Sequence, residues 1–131
     1  MKQKFIQAYM DVARRFAELS HARRLHVGAI VVKDDRIISI GYNGMPAGWD
    51  NNCEDIVYRI AQEPITQTKP EVIHAEANAI AQAAKHGIST QGASIYVTLE
   101  PCISCLKLII SSGIKEVFYE ADFNSGTKAM L

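Results

Sequence analysis

Hydrophobic residues recur at helical spacing near the start of the chain and then give way to continuous β-branched runs. Residues 3–19 carry apolar side chains three and four positions apart, which predicts a helix with one buried face: Phe5, Tyr9, Val12, Ala13, Phe16 and Ala17. Two β-branched runs follow, VGAIVVK at 27–33 and RIISIGY at 36–42, and the Asp34–Asp35 pair between them predicts a β-hairpin. Because each run is apolar for several consecutive residues, the sheet they join should be covered on both faces.

Helix-forming and strand-forming segments alternate in the second half of the chain. HAEANAIAQAAKHG at 74–87 is rich in strong helix formers and ends at a glycine. PCISCLKLIISSG at 101–113 begins with proline and ends with glycine, the usual asymmetry of helix ends. SIYVT at 94–98 and EVFYE at 116–120 predict strands. Since strands connected through helices lie parallel, we expect one domain over residues 1–131 with an α/β fold, a three-layer α/β/α sandwich on a mixed sheet.

The middle of the chain has a less regular pattern. NGMPAGWDNN at 43–52 contains two glycines and a proline and predicts a loop. Residues 53–72 are ambiguous: EDIVYRIAQ at 54–62 is compatible with a short helix, and PITQTKPE at 64–71 is interpreted as a connector.

Charge and cysteine content narrow the classes of function. The 131 residues include 14 Lys and Arg against 14 Asp and Glu, so the net charge is zero and a polymeric nucleic acid is a disfavoured substrate. No apolar run approaches the ~20 residues of a membrane span, and the first residues lack the apolar centre of a signal peptide. We therefore expect a cytoplasmic protein with reduced thiols, in which a CxxC pair favours metal or redox chemistry over a disulfide.

The pair Cys102 and Cys105 is the first candidate for chemistry. Three positions apart on a helix, the two thiols share one face. In a first helical turn the helix dipole favours the thiolate, the form that binds metal. His74 at the start of the other predicted helix completes a His/Cys/Cys set, which suits a zinc ion with a fourth position left for water. Glu76 follows two residues later, about 200° around a regular helix, so it flanks the same volume only if His74 lies at the helix boundary.

Other interpretations of the cysteine pair stay open at this point. A redox pair would need neither His74 nor Glu76. A closed structural zinc would need a fourth ligand, for which Cys53 is the one remaining cysteine. Either leaves Glu76 without a role. Taken singly, Cys53 is interpreted as a half-buried small apolar residue, and three histidines as surface or helix-capping residues: His21, His26 and His86.

The complete pattern resembles a known signature. His74-Ala75-Glu76 followed by Pro101-Cys102-Ile103-Ser104-Cys105 is similar to the H-x-E…P-C-x-x-C signature of zinc-dependent nucleobase deaminases, in which the Glu is an acid/base and not a ligand. The resemblance implies that zinc activates a water molecule. It also implies that Glu76 takes the proton of this water, protonates the ring nitrogen and assists the departure of ammonia.

Three further stretches resemble one branch of that superfamily. They are GYNGMPAG at 41–48 with Cys53 following, HAEANAI at 74–80 with Ala77 where the family usually has leucine, and SGIKEVFY at 112–119. From about Phe5 to about Asp122 the chain is similar to deoxycytidylate (dCMP) deaminases of the cytidine deaminase superfamily. This implies a cytidine deaminase-like fold and the hydrolysis of dCMP to dUMP and ammonia, which supplies dUMP for thymidylate synthesis. The 50–70 region holds only Cys53, so one zinc per chain is expected.

The same resemblance implies roles in holding the substrate. Asn43 would bind the deoxyribose or the phosphate, the backbone at Ala75 would hold the pyrimidine edge, and Tyr119 would line the sugar–phosphate side. Asn43 is otherwise a turn residue, and Tyr119 a core strand residue. The segment SHARRLHVGA at 20–29 is the densest cationic cluster of the chain. Because a phosphate favours a guanidinium fork and a hydroxyl donor, Ser20 and Arg24 are predicted to hold it, against the alternative that the arginines cap the preceding helix.

Regulation and assembly are also implied by the resemblance. Tyr42, Gly44 and Met45 are predicted to bind an allosteric triphosphate, dCTP or dTTP with Mg²⁺, and the chain is expected to be a homo-oligomer, commonly a hexamer. Two alternatives remain. The first is another deaminase on the same fold, either a nucleoside deaminase or a tRNA or other nucleic-acid deaminase, the latter of which would favour a basic surface and an exposed C-terminal helix. The second is a non-catalytic module stabilised by zinc, which would have no use for Glu76.

Overall fold

The computed structural model describes residues 3–120 and 127–129. Within these residues the chain forms three helices and seven strands, in the order α1 Gln3–Ala17, β1 Gly28–Lys33, β2 Arg36–Tyr42, β3 Glu54–Arg59, β4 Gln62–Thr68, α2 Ala75–Lys85, β5 Ser94–Val97, α3 Ile103–Ser111, β6 Glu116–Glu120 and β7 Thr127–Ala129. None of the described helices is long and apolar enough to span a membrane.

The main sheet has the strand order β2-β1-β5-β6-β7. β1 is antiparallel to β2 and to β5, β5 and β6 are parallel, and β7 is antiparallel to β6. The predicted mixed sheet is therefore confirmed, including the parallel pair joined through α3. β7 is an addition that the sequence did not indicate, because three residues are too few to show a period.

Helices cover both faces of this sheet, as the alternation of side chains along β1 shows. Ile30 and Val32 point into a core cluster with Met10 and Ala13 of α1. Ala29 and Val31 point to the opposite face, into a cluster with residues of α2, α3 and the neighbouring strands: Ala75, Ala79, Ile95, Val97, Ile109 and Val117. Because successive side chains of a strand face opposite sides, this burial confirms the three-layer α/β/α arrangement.

Two glycines allow the helices to lie directly against the sheet. A Cβ atom at Gly28 in β1 would overlap the carbonyl oxygen of Ala13 in α1. A Cβ atom at Gly41 in β2 would overlap the backbone of Ala75 and Ala79 in α2. Each helix layer thus packs backbone against backbone at one point, where the absence of a side chain is required.

The predicted elements agree closely with the structure except in the middle of the chain. The hairpin turn is confirmed, with Asp34 and Asp35 at φ of 51° and 60°, the left-handed conformation that two-residue hairpin turns require. The predicted terminal glycine of α2 is confirmed by Gly87 at φ 69°, one residue after the C-cap His86. α3 begins two residues later than the predicted segment, since Cys102 is its N-cap.

The prediction for residues 54–71 is wrong. The segments interpreted as a short helix and a connector form the antiparallel pair β3–β4, a separate two-stranded sheet. Ile56, Tyr58 and Ile60 are two residues apart, which is the period of a strand and not of a helix. All three side chains are largely exposed. Cys53, interpreted as half-buried, is fully buried at the base of this hairpin.

Candidate active site

Two helix starts meet on one face of the sheet. α2 begins after His74 and α3 begins after Cys102, and each of these residues is the N-cap of its helix. Both have extended backbones, with φ −66° and ψ 152° at His74 and φ −71° and ψ 167° at Cys102, and neither side chain caps its own helix. From the sequence, His74 and Glu76 could flank the same volume only if His74 lay at the helix boundary. This condition is met, because His74 is the N-cap of α2 and Glu76 lies in its first turn.

The ligand atoms of the predicted His/Cys/Cys set converge. His74 Nδ1 lies 3.3 Å from Cys105 Sγ and 3.6 Å from Cys102 Sγ, and the three atoms lie within 4.8 Å of one another. Tetrahedral angles at ordinary zinc bond lengths would place a nitrogen and a sulfur ligand about 3.6 Å apart. The geometry and the N/S/S donors therefore fit zinc. No other group of three or more His, Cys, Asp or Glu side chains converges in this way within residues 3–120 and 127–129.

The electrostatics of Cys105 correct one expectation. Burial raises the pKa of the Cys105 thiol, and the charges of Glu76 and Cys102 raise it further. The helix start alone therefore does not make this thiol a thiolate. A divalent cation among the three ligands would provide the missing positive charge, so metal binding should be accompanied by release of a proton.

Glu76 lies beside this cluster and is not part of it. Its side chain is nearly buried, and burial raises the pKa of its carboxyl group although the nearby His74 lowers it. Glu76 lines a cavity of about 150 Å³ together with His74 and Cys102. The remaining wall residues are Ala22, Leu25, Val27, Asn43, Glu54, Thr68, Val72, Ala75, Leu99 and Glu100. A carboxyl group with a raised pKa in a cavity next to a metal site is typical of a catalytic acid or base.

Asn43 lines the cavity as predicted, and its side chain also ties loops together. Its Oδ1 accepts a hydrogen bond from the Val27 amide at 2.9 Å, and its Nδ2 donates to the Leu25 carbonyl at 2.8 Å. Ser20 is not among the cavity residues. Its hydroxyl donates to the Asn43 carbonyl at 2.7 Å and accepts from the Ala22 amide at 3.1 Å. Because its one proton is already donated, the structure does not support Ser20 as a donor to phosphate.

The other predicted substrate residues lie at different distances from the cavity. Ala75, the first residue of α2, lines it. Arg24 does not line it, but its guanidinium donates to Oγ1 of the wall residue Thr68 at 3.2 Å. Tyr119 pairs with Val97 and Lys128 in the sheet and does not line the cavity. Of these three residues Ala75 lines the cavity, Arg24 is one hydrogen bond away from its wall, and Tyr119 lies outside it.

Glu54 is a wall residue that the sequence reasoning missed. It begins β3, and its Oε2 accepts hydrogen bonds from the backbone amides of Arg23 at 2.9 Å and Arg24 at 3.3 Å. The available signal was an acidic residue directly after Cys53 at the end of a loop. That signal was lost because the segment was interpreted as the start of a helix.

A second, larger groove of about 800 Å³ lies along the edge strand β2. Tyr42, Gly44 and Met45, the predicted effector residues, all line it, together with His21 and Gln82. Asn43 lines both this groove and the smaller cavity, so one residue connects the two.

Comparisons with known proteins agree with this site. Residues 3–121 match the family model of the cytidine and deoxycytidylate deaminase zinc-binding region. The chain is 44% identical over 119 residues to ComE operon protein 2 of Bacillus subtilis (strain 168), covering 91% of the chain and 60% of that protein. It is 42% identical over 118 residues to the human deoxycytidylate deaminase, covering 87% of the chain and 63% of that protein. The chain thus spans about three fifths of the length of these relatives.

A solved structure has the same fold. It is the crystal structure of the dCMP deaminase from the cyanophage S-TIM5 in complex with dCMP and dUMP, with a TM-score of 0.79 and 38% sequence identity. The match covers 91% of this chain and 82% of the cyanophage chain.

Proposed function

Since the chain belongs to the cytidine and deoxycytidylate deaminase family, whose zinc-binding region matches residues 3–121, we propose that it is a hydrolase that converts dCMP and water into dUMP and ammonia. The observation that carries the proposal is the meeting of two helix starts, which places Glu76 beside a His/Cys/Cys cluster in one cavity. The similarity to a cyanophage dCMP deaminase solved with dCMP and dUMP supports the choice of substrate.

The proposed chemistry depends mainly on Glu76. His74, Cys102 and Cys105 would hold the metal, and when bound, zinc supplies a Lewis acid that lowers the pKa of a water molecule from about 15.7 toward about 7. The Glu76 carboxylate accepts the proton of the attacking water and donates it to the ring nitrogen beside the carbon under attack. A second transfer through Glu76 protonates the amino group, so a carbon–oxygen bond replaces a carbon–nitrogen bond and ammonia leaves. Burial raises the pKa of Glu76, which suits a group that acts first as base and then as acid.

The start of α2 would hold the pyrimidine. Ala75 is the first helical residue, and the backbone N–H groups of a first turn have no partner within their own helix. In this proposal the N–H at Ala75 donates to the acceptor edge of the base. In this proposal Asn43 lies beside the sugar. One N–H of its side-chain amide donates to the Leu25 carbonyl, and the other N–H donates to the sugar.

The substrate is tested with a panel consisting of dCMP, CMP, deoxycytidine, dCTP and adenosine in a tRNA stem-loop, with ammonia release as the measurement. The proposal requires the highest kcat/KM for dCMP. Preference for the stem-loop would instead favour the nucleic-acid deaminase that shares this fold, and preference for deoxycytidine would favour a nucleoside deaminase.

Metal content provides the next expected result. Purified protein should contain about one zinc per chain, the stoichiometry of a three-ligand catalytic site, and Cys105→Ser should lose most of it because a buried sulfur ligand is removed. Cys53→Ala is the matched control and should keep its zinc, since Cys53 is buried away from the cluster. Loss of zinc from the Cys53 variant would point to a closed structural site.

Arg24 is proposed to select the monophosphate. Arg24→Ala should lower kcat/KM for dCMP about ten- to a hundredfold, since a hydrogen bond to a charged group contributes about 1.5–3 kcal/mol. It should barely change the slower reaction with deoxycytidine, which has no phosphate. Arg15→Ala removes the same charge from an exposed position of α1 and should leave both reactions unchanged. Equal losses with both substrates would make Arg24 a structural residue.

We propose that the groove along β2 binds a regulatory dCTP or dTTP with its Mg²⁺ ion. The support is the arrangement of Tyr42, Gly44 and Met45 around the groove and the position of Asn43 in both cavities. A triphosphate in the groove would act on the substrate through this one residue. A dCMP saturation curve that is unchanged by either triphosphate would exclude the proposal.

We also propose a cytoplasmic homo-oligomer, with six chains as the expected number. The support is the exposure of apolar side chains on α3, where Ile103 and Ile110, seven positions apart on one helix face, are 71% and 53% exposed in the single chain. Zero net charge does little to oppose self-association. Sedimentation equilibrium measures the mass, and a monomer at micromolar concentration would exclude the assembly.

A further inference from the structure

Glu54 places a buried carboxylate in the wall of the catalytic cavity, and the two oxygens of this carboxylate have different surroundings. Its side chain is 1% exposed. Oε2 holds the backbone amides of Arg23 and Arg24. Oε1 makes no hydrogen bond within the described residues. The Arg23 Nε lies 3.5 Å from it on a side chain that is 70% exposed, so this contact is a weak ion pair rather than a hydrogen bond.

A buried carboxylate oxygen with a weak ion pair and no hydrogen bond opposes folding. Burial removes it from water, and without a donor it loses the hydrogen bonds that water would supply. Structures retain few such groups, and a site for a ligand is one explanation for them. The cavity wall is where a bound molecule would supply the missing donor.

The chemistry of the substrate identifies that donor. Under the proposed function dCMP occupies the cavity, and at neutral pH it carries two main hydrogen-bond donors, the 4-amino group and the 3′-hydroxyl. The amino group has to face Glu76 and the metal ligands for the reaction to occur. The phosphate is an anion and would repel a carboxylate. The 3′-hydroxyl is the donor that remains.

We propose that Oε1 of Glu54 accepts a hydrogen bond from the 3′-hydroxyl of the nucleotide sugar, so that Glu54 is a specificity-determining residue. The inference rests on the proposed function. It agrees with the proposed role of Arg24 in holding the phosphate, because the carboxylate that would bind the sugar also binds the backbone amide of Arg24, whose guanidinium donates to the wall residue Thr68. Asn43, the residue proposed to lie beside the sugar, is part of the same wall.

The test removes each partner of this hydrogen bond in turn. The substrates are dCMP and 2′,3′-dideoxycytidine 5′-monophosphate, which lacks the 3′-hydroxyl, and the measured quantity is the ratio of their kcat/KM values. The variant is Glu54→Gln. Its amide oxygen can keep the bonds to the Arg23 and Arg24 amides, and its NH₂ group then replaces the charged acceptor Oε1. Asp55→Asn changes the same charge at the neighbouring residue, whose side chain is 58% exposed, and is the matched control.

The wild-type ratio should be at least about tenfold in favour of dCMP, the effect of one hydrogen bond to a charged group. In Glu54→Gln the ratio should fall at least about fivefold, because the NH₂ group cannot accept the hydroxyl proton and can only donate to the hydroxyl oxygen in a weaker, neutral hydrogen bond. Asp55→Asn should keep the wild-type ratio. Zinc content and thermal unfolding show whether Glu54→Gln is folded. If Glu54→Gln does not fold, the same ratio is measured with Glu54→Asp, in which the carboxylate is one methylene further from the cavity.

Two results would overturn the inference while leaving the proposed function intact. One is a wild-type enzyme that deaminates both nucleotides equally well, and the other is a Glu54 variant that keeps the wild-type ratio. A wild-type protein that does not deaminate dCMP would overturn the proposed function and the role of Glu54 with it.

Discussion

Glu76→Gln is expected to lower kcat for dCMP by about 10²- to 10⁴-fold, the usual contribution of a general acid–base group. The amide has nearly the shape of the carboxyl group but cannot accept the proton of the attacking water. Glu76 lies outside the His/Cys/Cys cluster, so the variant should retain zinc. Ammonia release and zinc content, measured on the same preparation, separate the two effects.

A measurement of thermal stability separates this loss of chemistry from unfolding. Burial raises the pKa of Glu76 in the folded chain, so the stability that the protonated group contributes is lost as pH rises through the folded pKa. A neutral amide does not have this loss, and the melting temperature of the metal-free variant at neutral pH should equal or exceed that of the wild type. Near-normal turnover by Glu76→Gln would contradict the mechanism.

Gly41→Ala is expected to destabilise the fold by about 3 kcal/mol, at the upper end of the usual effect of overpacking. The new Cβ would overlap the Ala75 carbonyl oxygen and the Ala79 amide nitrogen and lie 3.0 Å from the Ala79 Cα. All three atoms belong to the backbone of α2, so no side-chain rotation relieves the overlap. A shift of α2 would also carry His74 and Glu76 away from α3, and zinc affinity should fall with stability.

Gly44→Ala is the matched control for this substitution. A Cβ at Gly44 meets no described atom within 4 Å, so the change should alter the free energy of unfolding by less than about 0.5 kcal/mol. Urea denaturation at fixed zinc concentration measures both variants. Equal midpoints for the two would show that α2 adjusts without cost.

The sequence predicted the convergence of His74, Cys102 and Cys105 because the constraints on these residues are local. The cysteine spacing and the helix start at His74 each determine the placement of a side chain by a few backbone angles, and both helix boundaries follow from ordinary sequence signals. The three-layer fold was predictable for a similar reason, since the apolar runs of β1 and the alternation of helices with strands are strong patterns.

Other features depend on contacts between distant parts of the chain. The strands β3 and β4 expose most of their side chains, so burial leaves little pattern in their sequence, and the segment was ambiguous between helix and strand. The Ser20 hydroxyl is bound to the backbone of Asn43 and Ala22, and the Asn43 amide to the backbone of Val27 and Leu25. No sequence spacing indicates these contacts. The partners of Glu54 are backbone amides 30 and 31 residues away, so its role becomes visible only when the loop and the hairpin are in contact.

The unequal distribution of the metal ligands along the chain affects how zinc would stabilise it. Cys102 and Cys105 are three residues apart, whereas His74 is 28 residues from Cys102. An unfolded chain therefore keeps a two-thiol chelate and loses only the histidine. Since a ligand stabilises a fold by the difference between its affinities for the folded and unfolded states, the unfolding midpoint should rise with free zinc. The midpoint should stop rising once zinc also binds the two thiols of the unfolded chain. Its final value is then set by the additional affinity that His74 and the closed surroundings of the site give to the folded state.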